Sequence, residues 1–259
     1  MRYDDFLRRY PLSQFDPERE FPEPEWLIED LWLGGGKING LFGTPKAGKS
    51  RMLGWMLAAM LGRKEALPGM AAGSVVPERI LYLRAEESEA EIARRLQHYG
   101  KIQGSDTHDW RDRLLFQPGM DMCLERQSQR ENMEKLLQDN LIELLIIDPY
   151  VRIHAADEND ATQMAVIHNT LRRWSDRHGL DIIIVHHTGK LIDELVSQTD
   201  ISRWARGSSD IAAILDAGAL LHRMGKGNEL QLFRSGRFAT QPRLKLLDGG
   251  DSIGFSIAN

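Results

Sequence analysis

The chain has 259 residues, 38 acidic and 33 basic, with a formal net charge of −5 at pH 7 and one cysteine, Cys123. That balance argues against a generally basic nucleic-acid coat, although a ring or groove needs only a local basic surface. One cysteine excludes an intrachain disulfide framework and suits a reducing compartment. With no apolar run of membrane-spanning length and no secretory leader pattern over residues 1–5, a cytoplasmic protein without a membrane partner is expected.

Residues 1–25 are polar, acidic and punctuated by Pro11, Pro17, Pro22 and Pro24, which reads as an arm or linker before a domain over 26–259. Trp26-Leu27-Ile28 and Leu31-Trp32-Leu33 are apolar bursts, expected as a short strand or helix. Gly34-Gly35-Gly36 must be a turn. Ile38-Asn39-Gly40-Leu41-Phe42 reads as a buried strand. Arg51 to Gly62 carries Leu53, Met56, Leu57, Met60 and Leu61 at helical spacing. A loop is expected over 68–78, then a strand over 79–83 ending at Ala85-Glu86-Glu87. Ser88 with Glu91 is a capping box opening a helix with Ile92, Leu96 and Tyr99 on its apolar face. A short strand over 114–116 and a helix over 129–140 follow.

Glu143-Leu144-Leu145-Ile146-Ile147-Asp148 is an uninterrupted apolar run, as in a strand covered on both faces. A loop over 149–159, an amphipathic helix over 160–178 and a strand over 181–185 lead to His186-His187. After a polar connector over 191–206 come short strands over 217–223, 230–233, 243–247 and 253–257, the first two joined by a turn at 225–228. The fold class expected is α/β: a mainly parallel twisted sheet with helices on both faces, extended by C-terminal antiparallel strands.

Gly43-Thr44-Pro45-Lys46-Ala47-Gly48-Lys49-Ser50 spells G-x-x-x-x-G-K-S between the strand and helix that such a phosphate loop requires. Glycines allow a tight curl with backbone N–H groups facing one concavity, and the positive end of a helix dipole meets the same anion. Gly43 to Ser50, with Arg51, form the expected ATP-contacting stretch. Lys49 supplies charge to the phosphates, and Ser50 a hydroxyl for Mg²⁺. Asp148, at the carboxyl end of a buried strand, is the expected second Mg²⁺ anchor. Pro149 stands where many such ATPases carry a catalytic glutamate, so the water-activating base is sought elsewhere. Glu86 is favoured over its neighbour Glu87. His186 or His187 could sense the γ-phosphate, and Arg206, Arg237 or Arg234 could act as an arginine finger from a neighbouring subunit.

These segments occur in the order of a known family: the phosphate loop, Tyr82-Leu83-Arg84-Ala85-Glu86-Glu87, Ile146-Ile147-Asp148-Pro149, Asp157-Glu158-Asn159-Asp160-Ala161, His186-His187-Thr188-Gly189-Lys190 and Arg206-Gly207-Ser208-Ser209. The chain resembles the RepA-type ATPases of plasmids and phages, a RecA/DnaB-like branch of P-loop proteins, over residues 25–257. The resemblance implies a RecA-like domain assembled as a hexameric ring, ATP hydrolysis at subunit interfaces and single-stranded DNA in the channel. It assigns Glu86 as base, Asp148 as metal ligand, His187 as sensor and Arg206 as the finger in trans. Pro45 and Lys46 make the loop less glycine-rich than is common. Loop 149–160 mixes Arg152 and His154 with Asp157, Glu158 and Asp160, so it is not an obvious DNA-binding loop. Lys190, Arg203 and Arg206 with Trp204 could bind single strands by charge and stacking, opposed by Asp193, Glu194 and Asp200. The first reading is a replicative helicase. A non-motor repair, recombination or loader ATPase that switches a partner protein competes with it, and a binding module with a degenerate site ranks last.

Overall fold

The structure is a computed structural model that describes residues 16, 18, 23–67, 69–188, 210–225, 227–236, 243–250 and 255–257. It is built on a nine-stranded sheet in the order β13-β12-β11-β10-β3-β9-β8-β6-β7. The strands β3 (Ile38–Gly43), β6 (Ile80–Arg84), β7 (Leu114–Pro118), β8 (Leu144–Asp148), β9 (Asp181–His187) and β10 (Ala217–Arg223) run parallel to one another. The strands β11 (Glu229–Gly236), β12 (Arg243–Asp248) and β13 (Phe255–Ile257) extend the sheet antiparallel beyond β10. This is the expected fold class.

Alternation along the strands divides the core between two faces. On one, Leu41, Ile80, Tyr82, Ile146 and Val185 meet α1 (Lys49–Gly62) and α2 (Glu89–Ile102). On the other, Leu81, Leu83, Leu145, Ile147 and Ile184 meet α3 (Gln127–Asp139) and α4 (Ala161–His178). Ile211, in the short α5 (Asp210–Ala213), joins this second cluster. Burying each such aliphatic side chain contributes about 1.5–3 kcal/mol, so the double cover is what holds the parallel strands.

Helix α1 is more buried than an amphipathic stripe predicts, with Trp55, Ala58 and Ala59 also enclosed. Two small hairpins share its core: β1 (Trp26–Ile28) with β2 (Trp32–Leu33), and β4 (Glu65–Leu67) with β5 (Met70–Ala71). The second occupies part of the expected 68–78 loop, which corrects that expectation. Its strands are too short to show a sequence period. Ser88 and Glu91 make the capping box, with Glu91 N to Ser88 Oγ at 3.3 Å and Ser88 N to Glu91 Oε2 at 2.9 Å. The triple-glycine turn is held by Asp181, whose Oδ1 accepts from Gly36 N and Lys37 N, each at 2.9 Å. Among the described residues no helix is long and apolar enough to cross a membrane.

Candidate functional site

The strand order decides what meets at the carboxyl edge of the sheet. β9 lies between β3 and β8, and β8 is flanked in turn by β6. The phosphate loop after β3, His187 ending β9, Asp148 ending β8 and Glu86 just after β6 are therefore delivered by successive neighbours. Register keeps their ends level: Gly43 is opposite His187, and Arg84 opposite Asp148. Adjacent strands lie about 4.8 Å apart, so side chains from these tips can reach a common ligand.

In the loop, Gly48 is the N-cap of α1 with φ 99°, a conformation that favours glycine. A side chain at Gly43 would begin 2.7 Å from Leu221 O, so the strand can enter the loop only without one. Lys46 has φ 65° and takes a left-handed position where glycine is more usual, which costs about 1 kcal/mol. The Lys49 amine is buried. Its Nζ lies 2.9 Å from Gly43 O, 3.1 Å from Thr44 O and 3.0 Å from His187 Nδ1. An ammonium only donates, so Nδ1 accepts and the neutral His187 ring carries its proton on Nε2. Burial lowers the Lys49 pKa to about 8, opposed by the charges of Asp148 and Glu86.

Asp148 Oδ2 accepts from Tyr82 Oη at 2.7 Å. Burial raises the Asp148 pKa, against the Tyr82 and Ser50 hydroxyls, which both hydrogen-bond the carboxylate. Ser50 and Asp148 thus stand together as hard oxygen donors. Among the described residues no cluster of three His, Cys, Asp or Glu could hold a metal ion. The pair does fit Mg²⁺, which is commonly held by one or two protein oxygens together with phosphate oxygens and water.

Side-chain engagement separates the adjacent candidates. Glu87 is tied to Arg95 by a two-pronged pair at 2.8 and 2.7 Å. Glu86 is exposed, and Arg152 Nη2 approaches its Oε1 at 3.5 Å. The strand pleat separates the histidines. His187 faces Lys49, whereas His186 is buried with its edge against Tyr150 and its Nδ1 3.7 Å from Glu158 Oε1.

Arg206, Arg237 and the 189–206 connector with Lys190, Arg203 and Trp204 lie outside the described residues. Arg234 is 2% exposed, and its Nη1 donates to Asp30 O at 2.9 Å and pairs with the Asp30 carboxylate. That corrects its candidacy as a finger, since a guanidinium buried and paired inside its own chain does not reach a neighbour. The Arg51 side chain also turns inward, to Asp248 at 3.0 and 2.8 Å. Sequence reading missed Tyr82, Arg223 and Asp248. Each carried a readable signal, a polar group inside or at the end of an apolar strand run.

A phosphate loop leading into a helix at a central parallel strand, with an aspartate ending the strand after next, defines a RecA-like P-loop ATPase domain. The chain belongs to the AAA domain family AAA_25, which matches residues 7–193. Among solved structures it is similar to the RadB recombinase, with TM-score 0.60 and 14% identity over 87% of this chain and 92% of that one. It is also similar to the KaiC-like protein PH0186 of Pyrococcus horikoshii OT3, with TM-score 0.59 and 14% identity over 90% and 94%. At that identity the likeness is one of fold. No curated protein matches the chain.

Proposed function

We propose that the chain hydrolyses ATP with Mg²⁺ as a RecA-like motor on single-stranded DNA, working in a hexameric ring as a replicative helicase of the RepA type. The observation that carries the ATPase reading is the convergence of Lys49, His187, Asp148 and the Glu86 segment at neighbouring strand tips. The ring, the DNA and the plasmid or phage setting rest on the sequence resemblance.

Lys49 and the loop N–H groups hold the β- and γ-phosphates. Ser50 and Asp148 would hold Mg²⁺, with Tyr82 fixing the carboxylate. When bound, the metal neutralises charge developing on the phosphate oxygens. Glu86 orients water and takes its proton, because Arg95 already occupies Glu87. His187 reports the γ-phosphate through the Lys49 contact. Arg206 supplies the transition-state cation from a neighbour.

Phosphate release from Mg·ATP, with and without oligo-dT, tests the reading together with particle mass. The expectation is DNA-stimulated hydrolysis by a ring, and a loss of roughly 10²–10³-fold or more in Lys49→Ala. Background release by the wild-type protein would sink the ATPase assignment. Hydrolysis without strand displacement on a forked duplex would favour the non-motor recombination or loader reading.

A further inference from the structure

A cluster of charge from the antiparallel end of the sheet reaches the phosphate loop. Asp248 closes β12, and its side chain is 4% exposed. It receives Arg51 through both terminal nitrogens and Arg223, the last residue of β10, through Nη2. Arg223 Nη1 also donates to Gly227 O at 3.1 Å, so its guanidinium is fixed from two sides. The same Nη2 stands 3.5 Å from the point where a side chain on Gly48 would begin.

Among the described residues, one carboxylate set between two guanidinium groups leaves a net positive charge beside the loop. Pinning β12 to α1 needs a single arginine, and Arg51 already provides it. Burial pushes the Asp248 carboxyl up, but Arg223, Gly250 N–H and Arg51 together bring it below the ordinary range, so it is an anion at neutral pH. The side chains of Arg51 and Arg223 remain 25% and 26% exposed, within reach of an incoming oxygen.

The side of the loop matters. β3 has β9 on one flank and β10 on the other. His187, Asp148 and Glu86 come from the β9 flank, where the terminal phosphate is cleaved. Arg223 comes from the β10 flank, on the opposite side of the loop from that set. We propose that Arg223 binds the α-phosphate end of the nucleotide within its own chain, and that Asp248 is its positioning residue. This rests on the nucleotide reading of the phosphate loop.

Its signature differs from that of a finger, because an α-phosphate contact serves ADP and ATP alike. Calorimetric titration of ADP and of a non-hydrolysable ATP analogue, with Mg²⁺ and at several salt concentrations, reads it directly. Arg223→Ala is expected to raise both Kd values about 5–30-fold and to flatten their salt dependence. Hydrolysis should fall at low ATP and recover as ATP saturates. Asp248→Asn should act in the same direction with a smaller effect, and Asp248→Glu should restore part of the affinity. Arg223→Lys keeps the charge but loses the fork, and a Kd rise of a few-fold is expected even if Arg223→Ala does not fold. Wild-type binding with unchanged affinity in both Arg223 variants overturns this assignment alone, even if melting temperature falls. So does a loss confined to kcat. Absence of nucleotide binding by the wild-type protein overturns the phosphate-loop reading and this assignment with it.

Discussion

The parallel and antiparallel ends of the sheet meet the phosphate loop in different ways. In the parallel part every strand ends on the same edge, so β3, β9, β8 and β6 each deliver a polar group to one place. In the antiparallel part the strands alternate direction. β10 and β12 finish at the loop edge, with Arg223 and Asp248, while the intervening β11 begins there at Glu229. The parallel end can therefore gather the proposed catalytic set from sequence segments far apart. The antiparallel end can only grip or flank that set. Strand direction, more than residue type, divides chemistry from support.

The largest effect expected is at the parallel end. Glu86→Gln should lower hydrolysis by about 10²-fold or more while leaving nucleotide binding intact, because the amide keeps shape and loses the basic oxygen. Glu87→Gln should leave turnover within a few-fold. Arg95 would lose its two-pronged partner, but the pair is partly exposed, so the stability cost stays below about 1 kcal/mol. Single-turnover phosphate release and thermal melts of the two variants decide the matter. If Glu87→Gln is the inactive one, the base has been assigned to the wrong glutamate.

Arg234→Ala tests the supporting role of the antiparallel end. The guanidinium is 2% exposed and joined to Asp30, which tips the first hairpin. Removing it takes a buried cation away from the Asp30 carboxylate and opens space, at a cost of about 2–4 kcal/mol. Turnover per folded molecule should not change. A variant with wild-type stability and lost turnover in the assembled protein would return Arg234 to the list of fingers and blur the division.

The parallel end was legible in sequence because strands covered on both faces leave long apolar runs, as in Leu144 to Ile147, and because the phosphate loop has a fixed spacing. Asp148 and Lys49 follow from those runs and that motif. The choice between Glu86 and Glu87 does not, since neighbours in sequence look alike until Arg95, nearly two turns into the next helix, claims one of them. His186 and His187 are separated only by the pleat and by which face holds Lys49. The grip of Asp248 on Arg51 spans 197 positions, and no local pattern carries such a distance. The second hairpin, β4 with β5, escaped because two or three residues cannot establish a period, and for the same reason the first reads only as a short strand or helix.

Lys49 lies at the seam between the two ends, and its titration gives the smallest effect. Burial places the free-state pKa at about 8, below the ordinary lysine value, with Asp148 and Glu86 opposing the drop. A bound phosphate favours the ammonium, so the pKa in the complex is higher. Between those two values binding takes up a proton, and affinity falls as pH climbs through 8, approaching tenfold per pH unit. Stability of the free protein moves the other way. The folded chain gives up this proton more readily than the unfolded one, so between about 8 and 10.5 this group makes folding more favourable as pH rises. Weakened binding in that window is thus separable from alkaline unfolding. ADP titrations from pH 7 to 9.5 on a chain shown to be folded by circular dichroism should reveal the break, and Lys49→Arg, whose side chain stays charged, should remove it. A flat affinity in the wild-type protein would mean that the amine keeps its proton through this window or does not carry the phosphate.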